Sequence, residues 1–372
     1  MLALDEKIIV DRCRDKYLSS IIQKVASGNR LSFDDGVALY NSYDILTIGM
    51  LANMARKQKV GDYAYFIHNV HLNPSNICSG SCRFCAYRKK EGEAGAFRLT
   101  LEEIEKKMTP YLNTGITEIH LVSALDEKTD IEYYKKLLSL LKQMFPNVHI
   151  QGFTAVEIDY LAKNSNLTIE CTLNILQEYG LDSLPGGGAE VFSPRLREKV
   201  CPEKISGAKW LDIMRTAHNT GIHSNATMLA GIGETYEERV SHLLQLRELQ
   251  DETNGFMSFI PLSFHSHNTE LKLPVQTGID DIKNLAVSRL ILDNFNHIKA
   301  FWIQLGVKLS QVSLHFGVDD LDGTVMEEHI THDAGAQTGQ ALLKDEIVKM
   351  IKEAGRIPVQ RDTLYNVVKI WE

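Results

Sequence analysis

Along the first 60 residues, apolar positions recur at helical spacing. Leu18, Ile21, Ile22 and Val25 form one stripe, Ile45 to Arg56 carries another, and Ser32 before Phe33-Asp34-Asp35 is placed to cap a helix between them. From residue 64 the pattern changes to short apolar strands alternating with longer amphipathic helices. Strands are expected at 65–73, 118–122, 148–153, 189–192, 224–229, 256–264, 298–303 and near Phe316. Helices are expected from Thr100, which opens a capping box with Glu103, to about Asn113, and over 131–144, 157–163, 208–220, 236–250, 280–296 and 306–314. Thr168 is placed to cap another helix to Tyr179, and Leu184-Pro185-Gly186-Gly187-Gly188 reads as a turn before the 189–192 strand.

Repeated strand-then-helix units without a compositional break favour an α/β chain built as a closed parallel (βα)8 barrel over a doubly wound open sheet. The expected organisation is a helical segment over 1–62 packed on the barrel, the barrel over 63–340, and a helix and cap over 341–372. In either fold the loops after the strands carry the chemistry.

Composition narrows the function more by exclusion than by indication. The 372 residues are 44% hydrophobic and 24% charged, the balance of a globular chain with a sizeable core. A net charge of −8 gives no reason to expect nucleic acid or an anionic membrane as partner. No apolar run approaches the ~18 residues that span a bilayer. The first residues lack the order of a secretory signal, so the six cysteines are expected as thiols in a reducing cytoplasm.

Three of those cysteines stand together as Cys78-x3-Cys82-x2-Cys85, in the loop after the first expected strand. Three soft ligands so close, with no fourth nearby, suit a [4Fe-4S] cluster with one iron left open. A zinc site would call for a second cysteine pair or histidines downstream. His68 and His71 precede the run, but strand alternation sends only one of them into a barrel interior. Phe84, inside the run, is placed either to lie near a bound adenine or to pack on the cluster.

This cysteine spacing at the head of a βα-repeat chain resembles the radical S-adenosylmethionine superfamily. The segments His71-Leu72-Asn73-Pro74-Ser75-Asn76-Ile77-Cys78, Leu184 to Glu190, Cys201-Pro202-Glu203-Lys204, Ser224 to Leu229, Phe259 to His265 and Asp319 to Thr324 resemble the aminofutalosine synthase family within it. The likeness runs from about residue 33 to Tyr365. It implies a [4Fe-4S] cluster on Cys78, Cys82 and Cys85 whose open iron takes the methionine end of S-adenosylmethionine. It implies addition of a 5′-deoxyadenosyl radical to 3-[(1-carboxyvinyl)oxy]benzoate, with rearrangement and decarboxylation, giving 6-amino-6-deoxyfutalosine for menaquinone. An electron donor such as flavodoxin or ferredoxin is implied as well. The alternatives are the cyclic dehypoxanthine futalosine synthase of the same pathway and a non-catalytic metal-cluster protein.

The resemblance also selects site residues. Ser123 stands in Val122-Ser123-Ala124, where many superfamily members carry Gly-Gly-Glu, and Glu157 follows the third strand as a contact for the adenosyl group or as a solvated helix carboxylate. Gly187, between Gly186 and Gly188, lets the backbone approach S-adenosylmethionine or substrate closely. Glu190 is a carboxylate on an expected strand, which must be paired or functional. Asn225 and Thr227 share one strand face and are expected to line the cavity or fill a barrel layer. The catalytic candidates are Glu190, Asn225 and His265. For the substrate carboxylates, His265 at a strand end ranks above Arg195, Arg197 and His267, while His329-x2-His332 suits substrate or surface better than metal.

Overall fold

A computed structural model describes residues 2–372. Four helices, Leu2–Arg12, Ser19–Ala26, Phe33–Asn41 and Ile45–Val60, open the chain. Ser32 caps the third through a reciprocal box with Asp35, as its position before Phe33 implies. These helices lie on the outside of the sheet layer, where Tyr40 donates to Asn284 at 2.6 Å. Ile48 and Leu51 join the same apolar core as Leu285 and Ile291 of the helix Gly278–Ile291.

The strands are β1 (Tyr63–Ile67), β2 (Asn69–Leu72), β3 (Glu118–Leu121), β4 (His149–Gly152), β5 (Ser183–Leu184), β6 (His223–Ala230), β7 (Phe256–Ser263), β8 (His297–Ile298), β9 (Asp320–Gly323), β10 (Ile357–Arg361) and β11 (Val367–Ile370). Strands β2 to β8 form a seven-stranded parallel sheet in chain order. Its two edges meet across β9. Ala300 donates to the Asp320 carbonyl at 2.8 Å, and His71 donates to the Met326 carbonyl at 2.8 Å. The result is a curled α/β barrel in which the closing strand is held by a few bridges rather than a full ladder.

The expected first strand is two, because the chain changes sheets at His68. Strand β1 belongs to a second sheet of order β11-β10-β1-β9. The C-terminal cap is therefore a β-hairpin added beside β1 after the helix Lys344–Glu353, with Trp371 against Phe66 and Arg361 paired to the buried Asp320 at 2.6 Å.

Three expectations need correction. The run 189–192 is no strand; β5 precedes the glycine turn instead, and the Ala189 carbonyl is satisfied at 2.6 Å by the buried Arg197 guanidinium. The run 298–303 leaves the ladder after Ile298, keeps a single bridge from Lys299 to Asp320, and turns into the short helix Trp302–Leu305. The strand expected near Phe316 begins at Asp320, and the helix Pro194–Val200 has no counterpart in the pattern. Among the described residues no helix is long and apolar enough to cross a membrane.

Candidate active site

A cavity of about 360 Å³ opens at the C-terminal ends of the parallel strands. Cys78, Cys82, Cys85 and Phe84 form part of its wall, together with Ser123, Glu157, Gly187, Glu190, Thr227 and His265. Strand ends separated by more than a hundred residues thus bring the expected cluster, cofactor and catalytic residues, all but one, to one space. Asn225 is the exception. Its amide is spent below the cavity, donating to Gln151 at 3.2 Å and accepting from Ser258 at 2.7 Å. The barrel-layer alternative holds for it, whereas Thr227 lines the cavity and donates to the Gly186 carbonyl at 2.8 Å.

The cysteine loop is shaped by its own backbone hydrogen bonds. Cys78 N–H donates to the Lys89 carbonyl at 3.0 Å, Lys89 N–H to the Asn76 carbonyl at 2.8 Å, and Ser79 N–H to the Leu125 carbonyl at 2.9 Å. Beneath it Ser75 donates to Asp126 at 2.6 Å and takes the Ile77 N–H at 3.1 Å. Arg98 holds Asp126 from the other side with contacts of 2.7 and 2.5 Å. Burial pushes Asp126 up, but Arg98 and Ser75 outweigh it and hold the carboxyl below its usual range.

The residues fit an iron–sulfur cluster. All three thiols are free and partly exposed on the cavity wall. Burial pushes the Cys82 and Cys85 thiols above their ordinary range. Among the described residues no three His, Cys, Asp or Glu side chains converge on one ion-sized point.

The rest of the wall is a set of satisfied polar groups. Glu157 is buried rather than solvated. It accepts from Ser123 N–H at 2.9 Å and from Thr154 N–H at 2.8 Å, while burial pushes its carboxyl up to about 7. Glu190 sits in a loop at φ +49° and pairs with Lys204 at 2.6 Å. Lys204 in turn lies 5.0 Å above the Phe84 ring. Burial alone lowers its ammonium, but Cys82 and Glu190 outweigh that and hold it raised. His265 makes a 3.0 Å hydrogen bond through Nε2 with the Gln304 carbonyl.

The glycine turn works by close approach. A Cβ on Gly186, at φ +80°, would lie 2.2 Å from the Asn225 carbonyl oxygen, and one on Gly187 would lie 2.8 Å from Thr154. Trp210 ties the Gly187 carbonyl at 3.0 Å, which leaves the turn's backbone facing the cavity.

Other candidates lie elsewhere. Arg195 is exposed and paired to Glu238, Arg197 serves backbone carbonyls, and His267 packs beside Gly335 outside the cavity wall. His332 pairs with Glu328, and His329 is exposed near Glu327. The pattern of the sequence assigned no role to Lys204, His120, Gln304 or Asp322, all of which line the cavity. Only the strand register, which sets His71 beside His120, reveals the last such pair.

Two family models match the chain, the radical SAM superfamily over residues 72–246 and the CofH/MqnC C-terminal region over 253–372. An aminodeoxyfutalosine synthase of Thermus thermophilus is 47% identical, over 96% of this chain and 98% of its own. A cyclic dehypoxanthine futalosine synthase of Halalkalibacterium halodurans is 35% identical, over 95% and 96%. Among solved structures, methylornithine synthase superposes with a TM-score of 0.72 at 19% identity, covering 90% of this chain and 96% of that one, a likeness of fold.

Proposed function

The chain belongs to the radical SAM superfamily, in the branch of the aminodeoxyfutalosine synthases, and on that premise we propose the reaction its cavity serves. It joins the 5′-deoxyadenosyl group of S-adenosylmethionine to 3-[(1-carboxyvinyl)oxy]benzoate, with rearrangement and decarboxylation, giving 6-amino-6-deoxyfutalosine for menaquinone. The observation that carries this reading is the placement of three free thiols on the wall of a largely apolar cavity at the strand mouths. The 47% identity to a synthase, against 35% to a cyclase, decides between the two sister activities.

Cys78, Cys82 and Cys85 hold the cluster, which with S-adenosylmethionine supplies the 5′-deoxyadenosyl radical when bound. Ser123, Glu157, Gly187, Thr227 and the Phe84 ring surround the cofactor's place. Glu157 accepts from two backbone N–H groups, which hold its carboxyl in one orientation on the cavity wall. Leu229, Ile260, Leu262, Phe264 and Phe301 keep water from the reacting atoms. Glu190 and Lys204 neutralise one another beside the cysteine loop, so neither draws solvent in. His265, fixed by the Gln304 carbonyl, lines the cavity where the substrate would lie. A flavodoxin or ferredoxin in the cytoplasm donates the electron.

The test is anaerobic reconstitution of the cluster, reduction with dithionite, and addition of S-adenosylmethionine and the enol-ether benzoate. Mass spectrometry is expected to find 6-amino-6-deoxyfutalosine. Methionine and 5′-deoxyadenosine alone, without the adduct, refute the synthase reading and leave the superfamily standing.

A further inference from the structure

The cysteine loop is gripped from outside as well as from within. Arg83, between Cys82 and Phe84, donates its N–H to the Val200 carbonyl at 2.9 Å, and its own carbonyl accepts the Glu270 N–H at 3.0 Å. The Glu270 carboxylate also pairs with Arg88. Arg88 in turn donates through Nε to the Cys82 carbonyl at 3.3 Å. A residue 182 positions beyond Arg88 thus holds the Cys82–Cys85 turn at two points.

Glu270 belongs to the segment 264–277, between strand β7 and the helix Gly278–Ile291. Its first residues, Phe264 and His265, line the cavity, and Asn268 then donates to the Asp333 carbonyl at 2.8 Å. Asp333 ends the short helix Ile330–Asp333, whose Ile330 and Thr331 also line the cavity. The segment therefore runs along the cavity rim, tied at Asn268 to one wall and at Glu270 to the cysteine loop. Between residues 268 and 276 it buries only Thr269 and Leu271, while Lys272, Pro274 and Val275 are exposed. So little buried surface makes the ties a large share of what holds it down.

The turn that presents the Arg83 carbonyl is closed by the Cys85 N–H on the Cys82 carbonyl at 3.2 Å. A cluster held by Cys82 and Cys85 fixes that same turn. We propose that segment 264–277 is a latch on the cavity rim, fastened by Glu270 to the cysteine loop, and that cluster binding and latch closure stabilise one another. The coupling is reciprocal: whatever the cluster adds to closure, closure adds to cluster retention. Glu270 is a positioning residue, acting through Arg83 and Arg88. The inference rests on the reading above that Cys78, Cys82 and Cys85 hold the cluster.

The test has two arms, both anaerobic and on the full chain. Hydrogen exchange read by mass spectrometry compares the cluster-loaded and cluster-free protein. Loading is expected to slow exchange across 266–277 by roughly fivefold or more, and to leave the helix Ile131–Met144, which makes none of these contacts, unchanged. Equal exchange across 266–277 in the two forms overturns the proposal. In the second arm a chelator strips the cluster and the visible absorbance gives the rate of loss. Glu270→Ala is expected to lose the cluster roughly fivefold faster, the scale of one exposed ion pair, and Glu270→Gln, which still offers Arg88 an acceptor, to fall between. Because 55% of the Glu270 side chain is exposed, salt reaches the pair. Adding about 1 M KCl is expected to speed loss from wild-type protein towards the Glu270→Ala rate while changing the variant little, a response that a merely structural defect does not give. An unchanged rate in Glu270→Ala, or an equal salt response in both proteins, overturns the latch. If Glu270→Ala takes up no cluster, Asn268→Ala decides, since it removes the other tie without touching the cysteine loop. Faster loss is expected there, and an unchanged rate overturns the proposal. Wild-type protein that shows no cluster absorbance after reconstitution refutes the cluster reading itself, whereas a stable cluster with an indifferent strap refutes only the latch.

Discussion

The pair Lys204–Glu190 offers the most exposing perturbation of the site. Its atoms are 2.6 Å apart, with 18% and 10% of the respective side chains exposed. At that distance and an effective dielectric of ~20 the attraction is roughly 6 kcal/mol, most of it offsetting the desolvation of two charges. The informative quantity is therefore what happens when one partner is removed. Lys204→Met keeps the aliphatic stem but strands a buried carboxylate and ends the contact with the Phe84 ring. Loss of one partner of a buried pair costs about 3–5 kcal/mol, and the slight exposure here argues for about 3 kcal/mol. Glu190→Gln in the same chain removes the stranded charge while keeping the shape that φ +49° demands, and is expected to recover about 2 kcal/mol. Anaerobic urea unfolding of the four proteins, each cluster-loaded, gives the double-mutant cycle. A cost below about 1 kcal/mol for Lys204→Met, or no recovery on adding Glu190→Gln, refutes the reasoning.

Gly186→Ala places a methyl group 2.2 Å from the Asn225 carbonyl oxygen at a left-handed φ, so a loss above about 3 kcal/mol is expected, visible as poor soluble yield and a lowered melting temperature. Arg98→Ala leaves Asp126, with a side chain 1% exposed, without its guanidinium and loosens Ser75 under the cysteine loop; iron content per chain is expected to fall, and Arg98→Lys to restore it only in part. The Glu157 carboxyl, pushed up by burial to about 7 from 4.5, binds its proton more tightly folded than unfolded. Stability is thus greatest below pH 4.5 as far as this group is concerned and falls as pH rises through 7, by about 3 kcal/mol in total. Urea midpoints measured between pH 5 and 8 are expected to lose that slope in Glu157→Gln; an identical slope in the variant shows that another group sets it.

The fold was legible where local chemistry decides it. Ser32, Thr100 and Thr168 each cap the helix expected of them, because a cap is a contact across three residues. Thr235, just before the helix expected from residue 236, closes a capping box with Glu238. Legibility failed where tertiary partners replace the ladder. Strand β9, expected near Phe316, begins at the acidic Asp320 instead, which is buried because Arg361 and Tyr365 meet it from the C-terminal hairpin. The apolar run 189–192 reads as strand, yet Arg197 and a short approach to Leu229 satisfy its carbonyls instead. Both departures concern where backbone and carboxylate oxygens find donors, which periodicity does not record.

The site divides along the same line. Three cysteines within eight positions of one loop are chemistry that must be contiguous, because one cluster has to be gripped from one side. Glu157 and Thr227 followed from strand ends and alternation, rules that hold residue by residue. His71 and His120 are different, since each alone is an ordinary interior histidine. What brings them together on the cavity wall is a strand register that sets one ring on the other. In a parallel barrel a cofactor grip can be written in one loop, but a substrate seat is assembled one residue per strand.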